Sequence, residues 1–117
     1  MDATIYFNSR CTKCRQTLAL LEEAGARITV IEYLKTPLDA QALDRLLGQL
    51  GLAPEAIVRT GEDTYAELGL KGKTLSRDEW LALLAAHPIL VERPIVVVGD
   101  RAVVARPPER VKALLGG

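Results

Sequence analysis

Two cysteines stand three residues apart in the run Asn8-Ser9-Arg10-Cys11-Thr12-Lys13-Cys14-Arg15, among three cationic side chains. A thiol reacts as its thiolate, and its pKa of about 8.5 falls beside Lys, Arg or the unpaired amides of a helix N-terminus. Upstream, Ala3-Thr4-Ile5-Tyr6-Phe7 is β-branched and aromatic and reads as a buried strand. Downstream, the stretch from Thr17 to Ala24 carries leucines at 18, 20 and 21 and closes on Gly25, which reads as a helix with a glycine stop. Cys11 therefore falls at or just before a helix start and is the thiol placed to attack, while Cys14 lies one turn in. A Cys-x-x-Cys after a strand points to redox chemistry in a reducing compartment. There is no second cysteine pair, and the single histidine, His87, cannot complete a zinc site, so no metal is expected.

Three arginines join the cysteines as candidates. Arg59, Arg93 and Arg106 each lie beside a break between expected elements: after a short helix, just before the third strand and just after the fourth. In the folded order those breaks are expected to converge on the Cys11 loop. Three guanidiniums and a set of helix amides would hold a tetrahedral oxyanion, because Arg presents planar paired donors. The same charge would keep Cys11 ionised.

The elements that must position these groups follow along the chain. Arg27 to Tyr33 reads as a second strand, giving a parallel β-α-β crossover. Thr36-Pro37-Leu38-Asp39 reads as an N-cap, a first-turn proline and an acidic third residue, opening a helix with Leu43, Leu46, Leu47 and Leu50 on one face and Gly51 at its end. A short helix is expected from Pro54 to Arg59 and another from Thr64 to Leu68. Ser76-Arg77-Asp78-Glu79 is a capping box that opens a helix through Ala86, with Trp80, Leu83 and Leu84 inward. Pro94 to Val98 and Ala102 to Ala105 flank Gly99-Asp100-Arg101 as an antiparallel hairpin, and Arg106-Pro107-Pro108-Glu109 leads into a final helix ending at Gly116-Gly117. The fold class is α/β: a mixed four-stranded sheet, βαβ then ββα, with a helical insertion over about residues 37–87 of a single domain spanning 1–117. This layout resembles a thioredoxin-like fold, and the resemblance implies a cis Arg93-Pro94 bond beside the active cysteine.

Composition narrows the partners. With 15 basic and 15 acidic residues among 117, the chain has no general electrostatic footprint for nucleic acid or an anionic membrane. Its 49% hydrophobic and 26% charged content is that of a soluble globular protein. No leader pattern or bilayer-length apolar run is present, so a cytoplasmic protein is expected, with monomer as the default state.

Over nearly its whole length the sequence resembles the ArsC family of arsenate reductases, the type that uses glutathione and glutaredoxin. The resemblance rests on Thr4-Ile5-Tyr6-x-Asn8-x-x-Cys11, Arg15-x-Thr17-Leu18, Tyr33-Leu34-x-x-Pro37, Arg59, Tyr65-x-x-Leu68-Gly69-Leu70, His87-Pro88-Ile89-Leu90-x-x-Arg93-Pro94-Ile95-Val96-Val97 and Arg106-Pro107. It implies Cys11 as nucleophile, Arg59, Arg93 and Arg106 as oxyanion-binding residues, and Asn8, Arg15 and Pro94 in support. It further implies arsenate as substrate, a Cys11-arsenate intermediate, glutathione as co-substrate with no bound cofactor, and glutaredoxin as the protein partner. Phe7 stands where the plasmid-type enzyme has a histidine, and Cys14 where it has a serine. A thiol at position 14 could resolve an oxidised Cys11 by an internal disulfide, chemistry that would suit thioredoxin as reductant. Cys11-Thr12-x-Cys14-Arg15 is also similar to the Spx-like relatives on this fold, redox-sensing regulators that bind RNA polymerase. Another glutathione-dependent thiol reductase is a third reading.

Overall fold

A computed structural model describes residues 1–115 of the chain. The chain divides into two compact units, residues 1–36 with 93–117, and residues 37–92.

The first unit is built on a four-stranded sheet in the order β2-β1-β3-β4. Strands β1 (Asp2–Tyr6) and β2 (Arg27–Ile31) run parallel, joined by helix α1 (Thr12–Glu23). Strands β3 (Ile95–Val98) and β4 (Arg101–Val104) form an antiparallel hairpin, and β3 pairs antiparallel with β1. Gly99, at φ 63, is the first central residue of the hairpin turn, a conformation that glycine adopts without the Cβ clash other residues meet. A 3₁₀ segment, Pro108–Leu114, packs on α1 and β4. Alternation along β1 sends Ala3, Ile5 and Phe7 to one face, where they meet Cys14 and Leu21 of α1, Val96 and Ala105, and Val111 and Leu114. That apolar layer fixes the depth of α1 against the sheet, and with it the position of the cysteines. Arg93-Pro94 is cis, as expected, and so is Arg106-Pro107, which the sequence reading did not anticipate.

The second unit contains α2 (Ala40–Leu50), a 3₁₀ turn at Pro54–Ile57, α3 (Asp63–Glu67), α4 (Arg77–Ala86) and a 3₁₀ turn at Pro88–Leu90. Helices α2 and α4 pack together around Leu43, Leu46, Leu47, Trp80, Leu81 and Leu84. An Arg77 to Asp44 ion pair of 2.8 Å ties the start of α4 to α2. Gly51 closes α2 in the left-handed region.

Several boundaries differ from expectation. Strand β2 stops at Ile31, short of Tyr33, because the Glu32 carbonyl accepts from the amides of both Lys35 and Thr36 and turns the chain. Thr36 belongs to that turn, and α2 begins four residues later, at Ala40. The N-cap of α2 is Asp39, whose Oδ1 accepts from the Ala42 amide at 2.8 Å. The turn opened by Pro54 ends at Ile57, since Val58 pairs with Val91 in an isolated antiparallel bridge. In α4 the capping box is present, but Leu81 takes the buried place expected of Leu83, which is half-buried. The last segment is 3₁₀ instead of α, and its expected end at Gly116-Gly117 lies outside the described residues. No helix among the described residues is long and apolar enough to cross a membrane.

Candidate active site at the start of helix α1

The loop Phe7 to Arg10 delivers the chain from β1 to α1. It is anchored at one end by the Phe7 amide donating to Ile31 O at 2.8 Å, and at the other by the Cys11 amide donating to Asn8 O at 2.9 Å. Asn8 Oδ1 accepts from the Arg10 amide at 3.0 Å, an Asx-type turn within the loop. Arg15 reaches back from the first turn of α1, donating to Ser9 O at 2.8 Å and to Thr12 Oγ1 at 3.3 Å. Asn8 and Arg15 thus brace the backbone that carries Cys11. Thr17, buried, donates its hydroxyl to Lys13 O at 2.7 Å within the same turn.

Cys11 is the N-cap of α1, in extended conformation (φ -93, ψ 118), and Cys14 is the third helical residue. Both are free thiols, Cys11 half-buried and Cys14 fully buried. Burial opposes ionisation of Cys11. It is outweighed by the Cys14 amide, the Cys14 thiol, the Lys13 amide and the positive field of Arg93, which together hold Cys11 below the ordinary thiol range. Cys14 is the reverse. Burial and the neighbouring Cys11 charge push it up to about 12, against the opposing pull of the Asn8 amide and Arg93. One sulfur of the pair is thereby favoured as thiolate and the other kept as a thiol that donates toward it.

Arg93 precedes the cis proline and β3. Its NH1 donates to the hydroxyl of the buried Tyr33 at 3.4 Å, and its positive charge acts on the Cys11 sulfur. Burial works against its charge, but Tyr33 and Cys11 prevail and hold Arg93 above its ordinary value. Arg106 donates from NH1 to the Arg93 carbonyl at 2.9 Å, while the Ala105 amide bonds Pro94 O at 2.9 Å. The chain segments at the two cis prolines are therefore tied together, and they bring Arg93 and Arg106 into one network. The first unit unites Cys11, Cys14, Asn8, Arg93, Pro94 and Arg106.

Arg59 belongs to the second unit and has a different setting. Its Nε donates to Glu62 Oε1 at 3.0 Å and its NH1 to Glu92 Oε1 at 2.7 Å, with all three side chains about three-quarters buried. The Val58–Val91 bridge and the bond from the Arg59 amide to Leu90 O at 2.7 Å hold the two segments in register. The sequence reading missed both carboxylates. Glu62 was within view as an i,i+3 partner, whereas Glu92 is brought in only by the bridge. It also missed Tyr33 as the partner of Arg93. No three His, Cys, Asp or Glu side chains gather as potential metal ligands among the described residues.

The profile of the ArsC family matches residues 6–114. The chain belongs to the ArsC family. It is 44% identical over 115 residues to a protein named arsenate reductase from Neisseria meningitidis, covering 97% of this chain and 98% of that one. It is 43% identical over 113 residues to the uncharacterized protein YfgD of Escherichia coli, covering 96% and 95%. Among solved structures, the arsenate reductase from Vibrio cholerae superimposes with a TM-score of 0.93 at 46% identity, covering 97% of this chain and 98% of that one. The four-stranded mixed sheet is thus the thioredoxin-like fold of ArsC proteins, as expected from the element order.

Proposed function

We propose that this ArsC-family chain is an arsenate reductase in which Cys11 is the nucleophile. The observation that carries the reading is the N-cap position of Cys11, where helix amides and Arg93 favour the thiolate. Relatives named arsenate reductase, matched over nearly their whole length, supply the substrate.

In this mechanism the Cys11 sulfur attacks arsenic, an arsenate oxygen leaves as water, and a Cys11–S–As(V) adduct forms. Glutathione then attacks the Cys11 sulfur. The As–S bond breaks with its electron pair going to arsenic, which becomes As(III), and the glutathione proton passes to an arsenic-bound oxygen. Arsenite leaves, and a Cys11-glutathione mixed disulfide remains for glutaredoxin to reduce. Arg93 and Arg106 meet the anion charge, with donors already fixed by Tyr33 and the Arg93 carbonyl. Arg59 is the third arginine that the family resemblance implies for the anion, and within its own unit it is held by Glu62 and Glu92. Asn8, Arg15 and Pro94 hold the loop and the Arg93 segment in place. The cycle needs both thiols reduced, which a cytoplasmic setting provides, and every proposed group comes from one chain, so a monomer suffices.

The test is arsenite production from arsenate by purified, reduced protein with glutathione and glutaredoxin, with thioredoxin supplied in a parallel mixture. Turnover by the wild type that disappears in Cys11→Ser is expected. No arsenite from the wild type with either reductant would overturn the reading.

A further inference from the structure

We infer that Cys14 is a second, internal reductant of the same site: once Cys11 carries arsenic, the Cys14 sulfur attacks the Cys11 sulfur and expels arsenite, leaving a Cys11–Cys14 disulfide. The inference rests on the reading of Cys11 as the arsenate-attacking thiol.

The geometry is that of an N-cap and its third helical residue, the two positions that face each other across the first turn in a capping box, where each side chain reaches the other's backbone amide. Here both are sulfur. Cys11 packs against the cluster that contains Cys14, and the Cys14 thiol donates toward the Cys11 sulfur. Side chains three residues apart on a helix have Cβ atoms about 5–6 Å apart. A disulfide needs about 3.5–4.5 Å. Cys11, as the N-cap in extended backbone, lies outside the helix proper, so the spacing within a helix is not imposed on this pair.

Burial gives the pair its order of events. Cys14 is 0% exposed, so an external thiol or oxidant meets Cys11 first. While Cys11 is a thiolate, its charge holds the Cys14 proton in place. Bonding to arsenic takes the negative charge off the Cys11 sulfur and so removes one of the causes that raise Cys14, while burial, the largest of them, remains.

The step balances. The Cys11 S–As bond breaks and the Cys11 S–Cys14 S bond forms. The two thiols are oxidised to one disulfide, arsenic goes from As(V) to As(III) with the S–As electron pair, and the Cys14 proton goes to an arsenic-bound oxygen. A thiol, glutathione or a dithiol protein, then reopens the disulfide.

The experiment is a single turnover. Fully reduced protein is desalted free of thiols and mixed with arsenate, and arsenite is measured by chromatographic speciation. Trypsin cuts after Lys13 and so separates the two cysteines, making a disulfide-linked peptide pair diagnostic. The expected result is about one arsenite per chain together with that linked pair, and at least about tenfold less arsenite from Cys14→Ser and Cys14→Ala. The alanine variant keeps the buried site apolar, and thermal unfolding checks that each variant is folded. A parallel mixture with glutathione and glutaredoxin separates the two levels of the argument. Arsenite there but none in the thiol-free reaction overturns the role of Cys14 and leaves the Cys11 reading standing. Arsenite in neither overturns both. Equal thiol-free arsenite from wild type and folded Cys14→Ala also overturns the inference.

Discussion

Helices α1 and α4 begin with the same spacing, a polar N-cap and a second polar residue at the third helical position, yet the two starts do different work. At α4, Ser76 Oγ accepts from the Glu79 amide at 3.1 Å and Glu79 Oε1 accepts from the Ser76 amide at 2.9 Å. Both residues are exposed, and the hydrogen bonds to Ser76 hold the Glu79 carboxyl below its usual range. At α1 the same positions carry Cys11 and Cys14, half-buried and buried, with Arg93 alongside. The helix terminus offers unpaired amides and positive field in both places. What differs is the group that receives them. A carboxylate already ionised turns that field into helix stability, whereas a thiol turns it into reactivity. The pair of arginines repeats the lesson. Arg59 is neutralised by Glu62 and Glu92, while Arg93 faces a phenol and a sulfur.

The harshest way to break the contrast is Cys11→Ser. Serine is a favoured N-cap residue, so stability changes little, but arsenite production should fall on the order of 10³-fold or more. Arg93→Ala removes a charged hydrogen bond worth about 1.5–3 kcal/mol, which corresponds to roughly 10- to 150-fold in kcat/KM. It should also move the pH midpoint of Cys11 alkylation upward, because a contribution that lowers the thiol pKa is gone. Arg59→Ala sharpens the comparison. It removes a cation that bonds two largely buried carboxylates and should lower stability by about 1–2 kcal/mol in urea unfolding, with no movement of the Cys11 alkylation midpoint.

Cys14 makes a separate statement about alkaline pH. Its folded pKa is raised to about 12, so between the ordinary thiol value and 12 the folded state binds more protons than the unfolded one. Stability is therefore fully present below about pH 8.5 and falls as pH rises toward 12. Urea midpoints measured across that window should decline more steeply for the wild type than for Cys14→Ala. At the small end, Ser76→Ala should cost about 1 kcal/mol in stability and leave the rate of Cys11 alkylation unchanged.

Much of this was legible in the residues because it depended on local rules. The capping box of α4 was visible as Ser76 and Glu79, the glycine stop of α2 as Gly51, and the hairpin as Gly99-Asp100 between two β-branched runs. Cys11 at the helix start followed from the strand before it and the leucines after it. Tertiary hydrogen bonding decided what local rules missed. Thr36 looked like an N-cap, but it closes the Glu32 turn and α2 begins only at Ala40, with Asp39 as its cap. Leu81 and Leu83 differ by two positions on α4, and only the packing of that helix selects between them. The partners of the arginines were the least legible, because Arg59–Glu92 spans 33 residues and Arg93–Tyr33 spans 60. No periodicity connects residues at such separations.

The measurement that most directly tests the central claim is the rate of Cys11 alkylation by iodoacetamide across pH, with and without arsenate. The account predicts a midpoint below that of an ordinary thiol, with Cys14 unmodified in the folded protein and arsenate slowing the reaction at Cys11. A midpoint at or above the free-thiol value, or a rate indifferent to arsenate, would contradict it.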